Sequence, residues 1–218
     1  MDLPNGFMVS KWIEGINGGQ SIKDGIYSTR SFAKETAKVL SRVHTIKILR
    51  YDKGVKFSDI YQKKISEIIK DNKFQRLFKK NYVKNIIELL LYALKKIPIP
   101  QQAILVHSDP SPDNIIVQND KSLVLVDWDD SEESWWVRDY AYLTYWSDNP
   151  EEIRVGFFAG YGKVDMSSKE TKIAELVEWI LQSLRFLPYY KFYFIDEEKY
   201  KERLTRLQKD FTILKFIV

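Results

Sequence analysis

The chain has 218 residues, of which 44% are hydrophobic and 29% charged, and its formal net charge is +4. This length and composition are typical of one globular domain of moderate size. No apolar run approaches the roughly 20 residues that cross a bilayer, and the first residues lack the pattern of a secretory signal. Because there is no cysteine, disulfides and thiolate chemistry are excluded, and we expect a cytoplasmic protein without membrane contact.

The charge is unevenly distributed along the chain. Ten Lys or Arg side chains and three acids lie between 63 and 96, whereas six acids and a single Arg lie between 127 and 139. In the basic segment the charges alternate with apolar positions, so a solvated helical face explains them. Nucleic-acid binding by this segment rests on charge alone and is not expected.

The first half of the chain predicts one strand and a series of helices. A strand is predicted over FMVSKWIEG (7–15), and a loop with several glycines follows it. Apolar residues at helical spacing predict a helix over 29–46, a second helical region over 58–80 and a third helix over 83–94.

The periodicity changes near the middle of the chain. Short β-rich runs at 103–106, 115–117 and 123–126 predict strands, and the turn QNDK joins the last two. An aromatic and acidic segment follows, and two amphipathic helices over 173–184 and 200–214 close the chain. Since no repeat, low-complexity segment or linker interrupts this order, we predict a single, mostly α (α+β) domain.

The polar loop between the first two of these strands has the spacing of a phosphoryl-transfer site. In HSDPSPDN (107–114), His107, Asp109 and Asn114 follow the kinase catalytic-loop spacing H-x-D-x-x-x-x-N, and Asp127 follows the next strand pair. A carboxylate such as Asp109 can accept the proton of an attacking hydroxyl. Mg²⁺ prefers oxygen ligands, here the amide of Asn114 and the carboxylate of Asp127, together with substrate phosphates.

These segments resemble the C-terminal lobe of the aminoglycoside phosphotransferase and choline kinase-like superfamily, which has a protein kinase-like fold. Three hallmark motifs of the superfamily are matched by the loop HSDPSPDN, the apolar hairpin IIVQNDKSLVLV and the acidic motif DWDD. VRDYAYL is similar to a later aspartate motif of the superfamily. AKVLSRVHTI is similar to its helix ending in Leu-x-x-x-His, and FMVSKWIEG to its hinge strand.

The resemblance implies that ATP and Mg²⁺ are used to phosphorylate a hydroxyl of a small molecule. The implied roles are Asp109 as catalytic base, Asn114 and Asp127 as metal ligands, His107 and Asp139 as supports of the loop, and Lys11, Trp12 and Ile13 as nucleotide contacts in the hinge. The alternative function is a non-catalytic kinase-like module that binds a nucleotide or a partner.

The resemblance also implies a hinge-like strand over 1–15 and a helical C-terminal lobe over 16–218, in which 103–130 carry the catalytic loop and the metal-binding hairpin. We find no counterpart of the nucleotide-covering lobe that precedes the hinge in the superfamily. We therefore expect that lobe from upstream residues, a second polypeptide or a homodimer. Lys11 ranks lower as the phosphate-binding lysine, because the glycines follow it instead of preceding it.

Two residues of the loop depart from the superfamily pattern. Ser108 stands where glycine is usual, and Pro110 stands where an apolar residue is common. The position of Ser108 matters more, because glycine often marks a backbone geometry that other residues resist.

The aromatic and acidic segment allows two interpretations. Asp129 and Asp130 either face the acceptor or are solvated loop acids. Trp135 and Trp136 either form a wall for a cationic or polyhydroxylated acceptor or pack in the core.

The segment from 127 to 138 does not fit a calcium-binding loop, since Glu and Arg occupy its sixth and twelfth positions. With two histidines and no cysteine, zinc is poorly supported, and we expect His44 in the core or at a helix cap.

Overall fold

The computed structural model describes residues 12–46, 57–97, 103–162 and 168–218. Within these ranges most residues are helical, which confirms the predicted mostly α fold class. The helices are α1 Gly18–Lys23, α2 Thr29–Val43, α3 Phe57–Lys70, α4 Asn72–Leu77, α5 Lys80–Leu94, α6 Val137–Trp146, α7 Pro150–Tyr161, α8 Lys169–Phe192 and α9 Glu197–Ile217. The strands are β1 Ile16–Asn17, β2 Ile104–Val106, β3 Ile115–Val117, β4 Leu123–Leu125 and β5 Glu132–Ser134.

The strands form two small antiparallel sheets on either side of the 107–114 loop. One sheet has the order β1-β3-β4, with Ile116 of β3 opposite Asn17 and Val124. The other pairs β2 with β5, which places Glu132 opposite Val106, the residue before the loop. The loop therefore connects a strand of one sheet to a strand of the other.

The structure confirms the predicted helices and central strands, and it divides one predicted helical region into two helices. The helical region predicted over 58–80 is two helices, because the side chain of Asp71 accepts hydrogen bonds from the backbone N–H groups of Lys73 and Phe74 and begins α4. Of the strand predicted over 7–15, residues 7–11 lie outside the described residues, and 12–14 have no regular structure.

Five elements were not predicted from the sequence: β1 and α1, which lie where a loop with several glycines was predicted, and α6, α7 and β5. Helix α7 begins at Pro150 and has Glu151 and Glu152 in its first turn, which are ordinary signals of a helix start. Strand β5 has the sequence Glu-Glu-Ser, which lacks an apolar alternation. This strand forms through backbone pairing with β2, a long-range contact that local patterning does not reveal.

Helix α8 lies at the centre of the helical layer and is buried on nearly all sides. It packs against α3, α4, α5, α6 and α9, so that even its polar residues Glu175, Glu178 and Gln182 are buried. A second close contact joins α2 and α7 through Gly156 and Gly160. A Cβ atom at Gly160 would lie 2.0 Å from the carbonyl oxygen of Lys34, so only glycine allows this approach. No helix in the described ranges is both long and apolar enough to cross a membrane.

Candidate active site

The backbone at the start of the 107–114 loop is held by a buried carboxylate. Asp139 lies in the first turn of α6 and is fully buried. Its side chain accepts hydrogen bonds from the backbone N–H groups of His107, at 3.0 Å, and Ser108, at 2.7 Å. The residue that the superfamily resemblance assigned to support of the loop therefore contacts the loop directly.

The same carboxylate is linked to α2 and α7. The ring nitrogen Nε2 of His44, the C-cap residue of α2, lies 2.9 Å from Oδ2 of Asp139. The Nδ1 atom of His44 lies 2.7 Å from the hydroxyl of Tyr161 in α7. Burial, and secondarily the charge of Asp139, raise the pKa of that hydroxyl, so it stays protonated and can donate to His44. A hydrogen-bonded chain thus runs from α7 to the loop.

Ser108 has a backbone conformation that explains the usual glycine at this position. Its φ is +69°, in the left-handed region that non-glycine residues adopt only at a cost. The turn lets the N–H groups of His107 and Ser108 point to the same carboxylate. The chain therefore keeps the geometry without the glycine.

Asp109 has a carboxylate with one oxygen left without a partner. The Oδ1 atom is buried, and no hydrogen bond to it is found within the described residues. The phenol of Tyr142 in α6 faces this carboxylate: burial, and then the charge and hydrogen bonding of Asp109, raise the pKa of the phenol. Tyr142 thus remains a neutral neighbour, and Asp109 keeps an oxygen that can accept a proton.

The two candidate metal ligands lie at the open end of the β3–β4 hairpin. Asn114 ends a short 3₁₀ turn, and its side-chain Nδ2 donates to the carbonyl oxygen of Asp109 at 3.0 Å. The backbone N–H of Val126 donates to the carbonyl oxygen of Asn114 at 3.0 Å, so Asp127 comes directly after the residue paired with Asn114. Asp127 is exposed and has a φ of +61°.

His107 connects the loop to the same end of the hairpin. Its ring is fully buried, and Nε2 lies 2.9 Å from the carbonyl oxygen of Val126. A carbonyl accepts, so Nε2 is the donor in this contact. The ring also packs on Trp128, with 4.6 Å between the ring centroids. His107 is therefore buried and hydrogen-bonded between the loop and the hairpin.

Glu132 of β5 belongs to a largely buried cluster of charged side chains. Arg138 lies 3.2 Å from both Glu132 and Glu178, and Lys64 of α3 donates to Glu132 at 2.6 Å. Burial alone would raise the pKa of Glu132, but the charges of Lys64 and Arg138 outweigh it and lower that pKa. The sequence did not reveal this cluster, because its members are far apart along the chain.

The residues suggested to face an acceptor divide into two groups. Asp129 and Asp130 are exposed, and Asp130 lies 3.7 Å from Arg185. The indole of Trp135 is buried and donates to Glu178 at 2.9 Å. Trp136 packs on the aromatic rings of α6 and α7, among them Phe157 at 6.3 Å. Both indoles therefore have core packing instead of forming an aromatic wall.

The residues expected to contact the nucleotide lie at the edge of the described part. Lys11 lies outside it, Trp12 is 84% exposed, and Ile13 is half-buried. A cavity of about 470 Å³ lies beside β1 and the closed end of the β3–β4 hairpin, between Gly15 and Lys121.

Comparison with known proteins identifies the family. Residues 2–176 match the phosphotransferase enzyme family, APH. The chain belongs to the APH family. No curated protein sequence matches this APH-family chain at a significant level.

Solved structures share the fold of this APH-family chain at low sequence identity. The ADP-bound aminoglycoside phosphotransferase APH(2'')-Ib is 21% identical, with a TM-score of 0.58, over 93% of this chain and 69% of that one. An ethanolamine kinase of Plasmodium vivax is 20% identical, with a TM-score of 0.61, over 95% and 65%. A choline/ethanolamine kinase family protein of Mesorhizobium loti is 18% identical, with a TM-score of 0.57, over 100% and 72%.

These likenesses confirm the predicted kinase-like fold. The chain spans between 65% and 72% of the length of these three proteins. That other residues or another polypeptide supply a nucleotide-covering lobe stays a prediction.

Proposed function

We propose that this APH-family chain transfers the γ-phosphate of ATP to a hydroxyl group of a small molecule. The observation that carries the proposal is Asp109: its carboxylate has a buried oxygen without a partner, in a loop fixed by Asp139. The ADP-bound aminoglycoside phosphotransferase with the same fold supports a nucleotide as the phosphate donor.

Asp109 is the proposed base. As the acceptor oxygen attacks the γ-phosphorus, Asp109 takes the hydroxyl proton, the new P–O bond forms, and the bond to the β-phosphate oxygen breaks to leave ADP. Positioning of the two substrates supplies most of the acceleration in such reactions, up to about 7–11 kcal/mol. The hydrogen bonds from the loop to Asp139 and to Val126 serve this positioning.

The residues at the hairpin end fit a divalent cation shared with substrate phosphates. Because Nδ2 of Asn114 points to the carbonyl of Asp109, the amide oxygen of Asn114 is turned away from that bond. Asp127 adds an exposed carboxylate at the adjoining strand end. No group of three or more His, Cys, Asp or Glu that could hold a metal occurs in the described ranges. Mg²⁺ is usually held by one or two protein carboxylates together with substrate phosphates. When bound, Mg²⁺ would neutralise charge on the phosphates.

The nucleotide is proposed to lie on the hinge side of the loop. Trp12 and Ile13 would contact it beside β1, as the superfamily resemblance implies, and the roles of Lys11, His107 and Asp139 follow from the same resemblance. The cavity of about 470 Å³ between Gly15 and the hairpin lies on this side.

Substitution of the base tests the proposal. The chain joined to a nucleotide-covering lobe, with Mg²⁺ and radiolabelled ATP, is expected to transfer phosphate to a hydroxylated acceptor, whereas the isolated chain should transfer it poorly. Asp109→Asn should lower the rate of the joined chain by at least about 10²-fold, the scale of general base catalysis. Binding of Mg·ATP, read from the melting temperature, should persist in Asp109→Asn. Asp113→Asn, an exposed aspartate of the same loop, is the matched control and should keep full activity.

Full turnover in Asp109→Asn would remove the assignment of the base. Melting-point stabilisation by Mg·ATP without turnover, even in the chain joined to a nucleotide-covering lobe, would favour the alternative of a non-catalytic nucleotide-binding module. At a ligand concentration 100 times the dissociation constant, binding stabilises a protein by about 2.7 kcal/mol, so absence of any shift would contradict nucleotide binding and favour a module that binds a partner.

A further inference from the structure

A cavity of about 350 Å³ lies between α3, α4 and α8, on the side of the ionic cluster. Its apolar wall includes Ile68, Leu181 and Leu184, and its polar part includes Arg138 and Gln182. This volume is near the lower end of the roughly 300–1,000 Å³ typical of ligand pockets. A molecule with one ring fits better than a molecule with three.

Gln182 stands out among the residues of this cavity. Its side chain is only 1% exposed, yet neither Oε1 nor Nε2 has a hydrogen-bond partner among the described residues. Buried side-chain amides in folded proteins nearly always have partners. An unpaired amide in a cavity wall therefore points to a ligand that both donates and accepts hydrogen bonds.

Two charged residues of the cavity wall act on Tyr142, the phenol that faces the proposed base. Its phenol faces the carboxylate of Asp109, and the charges of Arg138 and Arg185, which both line the cavity, act on the same phenol. Glu132, another residue of the cavity wall, is paired in β5 opposite Val106, directly before the 107–114 loop. A molecule in the cavity thus lies beside the strand pair that leads into the loop carrying Asp109.

The charges of the cavity wall are balanced. Three cationic and three anionic side chains line it: Lys64, Arg138, Arg185, Glu67, Asp71 and Glu132. Glu132 is already paired with two of the cations, Lys64 and Arg138. Glu67 lies 3.8 Å from Lys63, and the side chain of Asp71 caps α4. The inner wall therefore offers no uncompensated carboxylate for a polycation, and its free polar group is the neutral amide of Gln182.

We propose that this cavity binds the acceptor, that the acceptor is an uncharged polyhydroxylated molecule with about one ring, and that Gln182 determines this specificity. The proposal rests on the proposed function, which supplies the reaction at the hydroxyl. The apolar wall formed by Leu181 and Leu184 would pack on the carbon face of the ring, and the amide of Gln182 would donate to one hydroxyl and accept from another.

Binding of defined probes tests the proposal without catalysis. Titration calorimetry of the full chain would use glucose, myo-inositol and N-acetylglucosamine as neutral probes, and kanamycin and choline as cationic probes. At least one neutral probe should bind at least about tenfold more tightly than either cation. Gln182→Leu should weaken that binding by at least about tenfold, because the leucine cannot replace the two hydrogen bonds.

Matched variants make the result specific. Gln208→Leu changes an exposed glutamine of α9 in the same way and should leave probe binding unchanged. Gln182→Glu keeps the shape of the side chain, adds a negative charge and should shift preference toward the cationic probes. Gln182→Glu also keeps the proposal testable if Gln182→Leu fails to fold, as judged by its melting curve.

The outcomes separate this proposal from the proposed function. Neutral-probe binding that depends on Gln182, without phosphate transfer, would uphold the acceptor class and contradict the reaction. Phosphate transfer to a cationic probe only would uphold the reaction and contradict the proposed acceptor class. Absence of binding by every neutral probe, or neutral binding that Gln182→Leu leaves unchanged, would overturn the assignment of the cavity.

Discussion

His44 and Asp139, which are 95 residues apart in the chain, are joined by a buried 2.9 Å contact between Nε2 and Oδ2. Asp139 also accepts two backbone hydrogen bonds from the 107–114 loop. One carboxylate therefore connects the end of α2, the start of α6 and the loop that carries Asp109.

Asp139→Asn should lower both stability and activity. An amide can accept through one oxygen only, and its NH₂ group would face one of the three donors. Loss of a buried, hydrogen-bonded carboxylate costs about 2–4 kcal/mol, which urea unfolding measures. Asp148→Asn, an exposed aspartate beyond the end of α6, is the control, and equal stability of Asp139→Asn and the unchanged chain would contradict the bracing role.

Ser108→Gly should be tolerated, whereas Ser108→Val should not. A non-glycine residue at the φ of +69° costs about 1–2 kcal/mol, and glycine recovers part of this but loses about 0.5–1 kcal/mol through the flexibility of the unfolded chain. We expect Ser108→Gly to change the unfolding free energy by less than about 1 kcal/mol. The β-branched valine should lower it by about 2 kcal/mol. Equal stability of both variants would show that the turn relaxes.

Gly160→Ala should destabilise the contact between α2 and α7. The added methyl group would meet the carbonyl oxygen of Lys34 at 2.0 Å, so the two helices must separate. Overpacking of this kind costs about 1–3 kcal/mol, although alanine favours a helix by about 1 kcal/mol over glycine. The reverse change at the neighbouring exposed Ala159 measures the propensity effect alone. A rise in the melting temperature of Gly160→Ala would contradict the close contact.

Asp210 should make stability depend on pH near 6. Burial raises the pKa of this α9 carboxyl from 3.8 to about 6, against the charges of Arg206 and Lys209, and Glu175 raises it further. Because the folded pKa is the higher one, the contribution favours folding below about pH 4 and is lost as the pH rises through 6. At a pH above both the folded and the unfolded pKa, a shift of this size lowers the free energy of unfolding by about 3 kcal/mol.

Asp210→Asn removes this titration. The variant should be more stable than the unchanged chain by about 2–3 kcal/mol at pH 7.5 and nearly equal at pH 4, by urea unfolding at both values. Glu202→Gln, on the exposed side of α9, should show no such difference. A variant less stable at pH 7.5 would mean that the ion pair with Arg206 outweighs the cost of burial.

The loop and its hairpin were predictable from the sequence because their signals are contiguous. Apolar runs, two prolines and the fixed spacing of Asp109, Asn114 and Asp127 all lie within 103–127. The hydrogen bonds from Asn114 to the carbonyl of Asp109 and from Val126 to Asn114 join neighbours in this short segment. Local turn chemistry is sufficient to specify such contacts.

The polar residues of α8 could not be assigned from the sequence. Glu178 and Gln182 lie off the apolar stripe that runs from Ile173 to Leu184, and such positions usually face solvent. They are buried because other helices surround α8, and the partners of Glu178, Arg138 and Trp135, come from a distant segment. Helical periodicity shows which residues share a face but not what covers that face.

The glycine contact between α2 and α7 has a consequence for heat inactivation. His44 ends α2 and is hydrogen-bonded to Tyr161 at the end of α7. A small separation of these two helices would therefore break the contact between the His44 ring and Asp139, and the backbone of the 107–114 loop would lose its fixed position. Catalytic competence should therefore disappear on warming before the circular dichroism of the helices declines, and reversibly so.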